Sequence, residues 1–206
     1  MRLLAIDSAT EACSAALFDG GRLIAGAFEI IGRGHAERLV PMIAELPGRG
    51  RADRIAVSLG PGSFTGVRIG LAAARALGLA WSAEVRGYPT LALVAAMARA
   101  EHPGAVTACM NGGHGEWFVQ DFDAKGLPDG EACSLTPDAA TASMAAGNLI
   151  AGNRAAELAH LRGRGEVLAI LPDARALPLL PETLLTLSLA PLYGRGPDAQ
   201  VGLSCV

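Results

Sequence analysis

A glycine-rich segment, GPGSFTG at residues 60–66, lies between two strongly apolar stretches and constrains the fold more than any other feature of the chain. Residues 55–59 (IAVSL) have the length and composition of a buried strand, and residues 65–81 have those of a helix. A strand that runs through a glycine-rich turn into a helix is a building unit of α/β folds. We therefore expect a sheet with this helix packed on one face.

The chain before and after this unit predicts further strands and helices. Strands at 3–6, 13–18 and 22–30 would form a meander, because the glycines at 20–21 favour a hairpin turn. A helix at 35–46 follows, in which Pro41 predicts a bend or a late start. A strand at 85–88 and a helix at 89–101, with Pro89 at its first position, complete a β-β-β-α-β-α-β-α order.

The second half of the chain partly repeats this pattern. His102, Pro103 and Gly104 mark a boundary that predicts two domains, 1–102 and 103–206. We expect strands at 105–110, 116–122, 131–135 and 148–151, and helices at 137–146, 153–162 and 182–189. Two α/β halves with mixed sheets, each opening with an antiparallel hairpin, are typical of the duplicated actin-like ATPase fold of Hsp70 and sugar kinases.

Composition limits the classes of function. Hydrophobic residues make up 51% of the 206 residues and charged residues 18%, so either a large core or an apolar partner surface is expected. The net charge of −3 argues against direct nucleic-acid binding by this chain alone. The first ten residues lack signal-peptide features and no apolar stretch is long enough to span a bilayer, so we expect a cytoplasmic protein.

Metal-binding and nucleophilic patterns give no candidate catalytic residues. The four cysteines form no C-x-x-C pair, and the four histidines are not spaced three or four residues apart. Residues 62–66 (GSFTG) are not a nucleophile elbow, because the serine stands one position too early. We therefore expect neither a metal site nor a catalytic residue.

Two interpretations of the glycine-rich segment stay open. Backbone N–H groups before a helix can bind an anion, and a nucleotide or other anion would then contact Asp7, Ser8, Thr10, Gly60, Gly62, Ser63, Thr65 and Gly66. The segment lacks the lysine of a P-loop and the G-x-G-x-x-G spacing. We favour the alternative, a tight turn in which Ser63 or Thr65 caps the helix.

The helix at 65–81 is apolar nearly all round. Its only charged residues are Arg68 and Arg75, and a sheet would cover one side only. The other side would be covered by the helix at 35–46, by a partner subunit, or by both. The candidate partner-interface residues on these two helices are His35, Leu39, Val40, Met42, Ile43, Arg68, Ile69, Ala72, Ala73, Arg75 and Ala76.

Three segments together resemble the TsaB (YeaZ) family: IDSATEACS at 6–14, HAERLVPMI at 35–43 and IAVSLGPGSFTGVRIG at 55–70. The resemblance is specific over roughly the first 100 residues and weaker beyond. It implies a two-domain actin-like ATPase fold and pairing with TsaD, the catalytic paralogue, through helices of the N-terminal domain. TsaE, an ATPase, would dock on that pair, and the assembly would place threonylcarbamoyl on the tRNA adenosine beside the anticodon.

The resemblance also implies that this chain is not itself an enzyme. TsaD holds its catalytic metal with two histidines, whose matching positions here are Thr90 and Val94. No cofactor would be required by this chain, because ATP and metal belong to partner subunits, and tRNA would be met only through the complex. Alone, the chain is expected to form a homodimer. The alternatives are an ATPase or kinase of the actin-like superfamily and a glycoprotease-like peptidase.

Overall fold

The computed structural model describes residues 1–143 and 148–194 and contains two five-stranded mixed sheets. The first sheet has the order β3-β2-β1-β4-β5, formed by β1 (Arg2–Asp7), β2 (Ala12–Asp19), β3 (Arg22–Ile30), β4 (Arg54–Ser58) and β5 (Glu84–Tyr88). Strands β1 to β3 form the predicted antiparallel meander, and β1, β4 and β5 run parallel. Both Gly20 and Gly21 have positive φ, as a two-residue hairpin turn requires.

Three helices accompany this sheet: α1 (His35–Glu45), α2 (Phe64–Trp81) and α3 (Thr90–Glu101). Helix α1 begins at His35 and contains Pro41, so the predicted late start is wrong; buried residues on both sides of the proline outweigh its lost hydrogen bond. Pro89 is the N-cap of α3 rather than its first residue. Within the described part of the chain, no helix combines the length and hydropathy needed to cross a membrane.

The second sheet has the order β10-β9-β6-β7-β8. Its strands are β6 (Val106–Gly113), β7 (Glu116–Phe122), β8 (Pro128–Leu135), β9 (Leu149–Ala151) and β10 (Glu166–Leu168). Helices α4 (Pro137–Ser143) and α5 (Ala155–Arg162) follow β8 and β9. The predicted helix at 137–146 is confirmed as far as 143, and its remainder lies outside the described residues. Strand β10 was not predicted, because three residues are too short for a periodicity signal.

Side chains that alternate along the strands divide the interior into three apolar layers. Leu4 and Ile6 of β1 face α1 and α2, whereas Ala5 between them faces the layer shared by the two sheets. Helix α3 lies in that shared layer and packs against the second sheet through β6, β7 and β9. The third layer lies between the second sheet and the helices α4 and α5. The two halves therefore share one continuous core around α3.

The last described segment returns to the first sheet. A 3₁₀ turn at Ala174–Leu179 packs on β1, β2 and β3, and another spans Glu182–Leu184. The helix predicted at 182–189 is wrong beyond this turn, because Thr186 forms an antiparallel bridge with Gly87 of β5. Leucines alternate with polar residues over 185–189, a pattern of extended chain rather than helix. The division into domains 1–102 and 103–206 stays a prediction. The contacts above show that residues 174–186, from the second half of the chain, pack against the first sheet.

Candidate functional site

The glycine-rich segment packs directly on the residues that follow β1. The amide of Ser63 donates to the carbonyl of Ala9 at 2.7 Å, and the Ser8 hydroxyl donates to the carbonyl of Gly66 at 2.9 Å. A Cβ atom at Gly62 would overlap the carbonyl oxygen of Ala9, and one at Gly66 would overlap that of Ser8. The glycines at these two positions thus allow a close backbone-to-backbone contact within the chain.

Hydrogen bonds inside the segment use several of its polar groups. Ser63 is the N-cap of α2, and its Oγ accepts from the amide of Gly66 at 3.2 Å. The amide of Gly60 donates to Ser58 Oγ at 3.3 Å. Gly60 also has a positive φ of 91°, which favours glycine, and Thr65 lies exposed in the first turn of α2. This arrangement supports the turn interpretation more than the anion interpretation.

Asp7 lies at the end of β1 inside a buried polar cluster. Its carboxylate accepts hydrogen bonds from the amide of Ala9 at 3.0 Å and from the Tyr88 phenol at 3.1 Å. Ser58 and Thr90 share a hydrogen bond beside it. Burial raises the pKa of Asp7 to about 7, although its hydrogen bonds partly oppose the rise. The side chain is 1% exposed, so it is not positioned to contact a ligand from solvent.

A cleft of about 880 Å³ separates the two halves of the molecule. Asn153 bridges it, because its Nδ2 donates to both carboxylate oxygens of Glu11, at 2.9 and 3.1 Å. The Oδ1 of Asn153 accepts from the amide of Asn111 at 2.8 Å. Thr10 lines this cleft, but its hydroxyl oxygen accepts from the amide of Ala12 at 3.1 Å. Glu11 lies in the segment at 6–14 that resembles the family, but no local pattern predicts its contact with Asn153, since the two residues are 142 positions apart.

The wall of the cleft on the α2 side is aromatic and carries one cation. The Arg68 guanidinium lies 3.5 Å above the ring centroid of Phe64, and its Nη2 donates to the Tyr193 hydroxyl at 3.1 Å. The ring of Phe64 is 6.1 Å from that of Tyr193. A concave site between domains with apolar walls and few polar groups is typical of small-ligand pockets. Among residues 1–143 and 148–194, no cluster of three metal-ligating side chains occurs.

The outer face of α2 is exposed in the part of the chain that the structure describes. Arg68, Ala72, Arg75 and Ala76 are exposed there, while Ile69 and Ala73 are half-buried. Leu79, which was not among the predicted interface residues, is 87% exposed on the same helix. Ala74 is fully buried on the opposite side, against the first sheet. The helix is therefore covered on one side by its own domain and open on the other.

The predicted interface residues on α1 are mostly buried, which corrects their assignment. His35, Leu39, Met42 and Ile43 belong to the interior beneath α1, because they cover the outer face of the first sheet. Their side chains are thus unavailable to a partner in this conformation. Val40 is the exception, with 55% of its surface exposed.

The positions that we expect to match the metal-binding histidines of TsaD are also internal. Thr90 and Val94 are fully buried on α3, and Val94 packs in the layer between the two sheets. The hydroxyl of Thr90 is already bonded to Ser58. Neither side chain reaches solvent.

Comparison with known sequences gives consistent relatives. The family model described as TsaD, tRNA N6-adenosine threonylcarbamoyltransferase, matches residues 29–142. The tRNA threonylcarbamoyladenosine biosynthesis protein TsaB of Escherichia coli K12 is 40% identical over 139 residues, which are 64% of this chain and 60% of that protein. TsaB of Haemophilus influenzae Rd is 41% identical over 105 residues, 48% of this chain and 43% of that protein. These matches span less than two thirds of either relative.

Solved structures agree over a larger part of the chain. YeaZ from Pseudomonas aeruginosa has a TM-score of 0.73 and 31% identity, over 86% of this chain and 89% of that one. The ethanolamine utilization protein EutJ from Carboxydothermus hydrogenoformans, with a TM-score of 0.50 and 12% identity over 87% and 88%, shares the fold alone. The predicted actin-like α/β fold is confirmed. From the model match, the sequence identities and the superposition together, the chain belongs to the TsaB (YeaZ) family.

Proposed function

We propose that this chain is a non-catalytic subunit for threonylcarbamoyladenosine biosynthesis on tRNA, and that it pairs with a TsaD protein through the outer face of α2. The observation that carries the proposal is an 18-residue helix whose exposed outer face is small and apolar except for Arg68 and Arg75. Ala72, Ala76 and Leu79 lie on that face, and Leu79 is almost fully exposed. An ordinary surface helix would carry mostly polar residues there, so an outer face on which the two arginines are surrounded by alanine and leucine favours a partner.

The division of labour follows from what the two chains offer. TsaD would supply the threonylcarbamoyl transfer and the metal, because the corresponding positions here, Thr90 and Val94, are buried and lack an imidazole. TsaE would join the pair and bring the ATPase activity. The tRNA would be bound through the assembled complex, in keeping with the net charge of −3 on this chain. The contribution of this chain is then a rigid surface that supports TsaD.

Co-expression with TsaD from the same genome tests this proposal. Ala76→Arg places a long cation on the outer face of α2, and Ala156→Arg is the matched control at an exposed position of α5. We expect wild type and the control to co-purify with TsaD and to sustain threonylcarbamoyladenosine in cells that lack their own TsaB, measured by mass spectrometry of tRNA nucleosides. Ala76→Arg should lose both. The proposal would be refuted if the wild-type chain formed no complex with TsaD.

A second candidate function rests on the cleft. Its volume of about 880 Å³ and its Phe64–Tyr193 wall would accept a nucleotide, which favours an ATPase or kinase of the actin-like superfamily. Calorimetry of the isolated chain with ATP and magnesium tests it, with Phe64→Ala as the variant. Micromolar binding that weakens in Phe64→Ala supports this function. No heat of binding, or equal binding by the variant, rejects it.

A further inference from the structure

Residues 186–194 run along the first domain beside α2, and we call them the C-terminal strap. Thr186 and Gly87 exchange two backbone hydrogen bonds, of 2.8 and 2.9 Å, so the strap begins as an addition to the edge strand β5. Further along, the amide of Leu192 donates to the carbonyl of Leu59 at 2.8 Å. The strap is thus anchored by its backbone at both ends, one at the sheet edge and the other at the glycine-rich segment.

The strap also holds both charged side chains of α2. The Nη2 of Arg75 donates to the carbonyl of Leu189 at 2.9 Å, and the Nη2 of Arg68 donates to the hydroxyl of Tyr193 at 3.1 Å. Both acceptors are neutral, and across residues 1–143 and 148–194 neither arginine lies within salt-bridge distance of a carboxylate. A guanidinium has five donors, so each retains free N–H groups. Within the described part of the chain, two positive charges without a carboxylate partner are therefore held in fixed positions.

Exposed apolar side chains accompany these charges on both α2 and the strap. Phe64 is 58% exposed and Leu79 87% on the helix, and on the strap Leu187 is 66% exposed. Leu192 and Tyr193 are exposed as well. Single exposed leucines are ordinary, but several on one helix and its adjoining strap form a patch of the kind that binds another protein. The two arginines give this patch a positive charge.

We propose that Arg68 and Arg75 select the partner, so that this face takes an apolar helix that carries two carboxylates about seven residues apart. The inference rests on the proposed function, and it specifies which side chains the contacting helix of TsaD carries. Arg68 and Arg75 are two turns apart, about 10 Å along the axis, and a packed helix repeats its facing positions at about that spacing. Each guanidinium with free donors can take a carboxylate in a bidentate pair.

The same charges disfavour a second copy of this chain on the face. Helix α2 contains no acidic residue, so two-fold pairing of α2 with α2 would gather four guanidiniums in one patch. On α1, the exposed Glu45 is paired with Arg38 at 2.8 and 3.1 Å, which leaves Glu37 as the acid of that helix without a salt bridge to a described residue. Like charges at a contact oppose association. The arginines therefore make the homodimer that is expected of the chain alone weaker than the complex with TsaD.

The double variant Arg68→Gln with Arg75→Gln tests the inference, with Arg164→Gln on the second domain as the control. We expect the affinity for TsaD to fall at least tenfold and the self-association constant, from sedimentation velocity, to rise at least tenfold. A second variant, Arg68→Lys with Arg75→Lys, keeps the charge but loses the planar fork. It should self-associate no more strongly than wild type and bind TsaD with intermediate affinity. Circular dichroism confirms that each variant is folded.

The outcomes separate this inference from the proposed function. If wild type does not bind TsaD, the proposed function fails. If wild type binds and the glutamine variant binds equally well, only the selection by arginine is overturned. The inference is also overturned if self-association of the glutamine variant stays unchanged or falls. Removal of the repulsion between arginines should strengthen the contact between two copies.

Discussion

The phenol oxygen of Tyr88 lies 3.1 Å from the Asp7 carboxylate and 2.9 Å from the carbonyl of Ile6. This contact ties the carboxyl end of β5 to that of β1 across β4, beneath the glycine-rich segment. The side chain of Asp7 therefore points into the protein. The sequence alone had left open that Asp7 contacts a nucleotide or another anion at this end of β1. A buried carboxyl with a hydroxyl partner acts here as a structural link, and it makes stability depend on pH.

Asp7→Asn should remove a pH dependence of stability. The pKa of Asp7 is about 7 in the folded protein and about 3.8 in the unfolded chain, because burial disfavours the charged form. The folded state keeps the proton between these values, so the free energy of unfolding falls as pH rises from about 4 to 7. The loss is at most about 4 kcal/mol, at 1.36 kcal/mol per pH unit.

Urea unfolding at pH 5 and pH 8 measures this effect. The difference between the two pH values should be smaller in Asp7→Asn than in wild type, whereas Asp129→Asn, at an exposed position, should keep the wild-type difference. An unchanged pH dependence in Asp7→Asn would mean that the carboxyl is already ionised at pH 5.

Gly62→Ala and Gly66→Ala should each destabilise the fold by at least about 2 kcal/mol, because the new methyl group would overlap a backbone carbonyl that cannot move freely. Thr65→Ala, between them in sequence and exposed, is the matched control with little expected change. Thermal unfolding monitored by circular dichroism is the measurement. If the glycine variants unfold at the wild-type temperature, the segment is not packed on Ser8 and Ala9, and the anion interpretation regains support.

Asn153→Asp should destabilise the contact between the two halves. It replaces an amide donor by a carboxylate opposite Glu11, and the expected cost is about 1–2 kcal/mol in the free energy of unfolding. Glu11→Gln in the same chain should restore most of the loss, because an amide again faces a carboxylate. Urea unfolding of the two single variants and the double variant gives the coupling energy. Additive effects would show that the bridge does not form in solution.

Local patterns explain why much of the fold was predictable. Residues 3–30 contain short apolar runs with a glycine turn between the second and third, and the helices at 35–46, 65–81 and 89–101 have a 3.6-residue periodicity or unbroken apolar runs. The buried side of α1 was assigned to the partner because periodicity identifies an apolar face without saying what covers it. Leu39 and Met42 are covered by this chain's own sheet.

The remaining features depend on contacts between distant parts of the chain. Tyr88 reaches Asp7 over 81 residues, and Tyr193 reaches Arg68 over 125, so neither contact has a local signal. The strap was missed for the same reason, since its backbone hydrogen bonds join it to Leu59 and Gly87, which are about 100 or more residues away. Its alternation of leucine and polar residues over 185–189 was the available indication.

The central claim, that the outer face of α2 pairs with TsaD, is tested most directly by the dissociation constant of the complex. Isothermal calorimetry would compare wild type, Ala76→Arg and the control Ala156→Arg against the same purified TsaD. The account predicts that Ala76→Arg weakens binding at least 100-fold, about 2.7 kcal/mol, while the control binds like wild type. Equal affinity of a folded Ala76→Arg variant and wild type would contradict it.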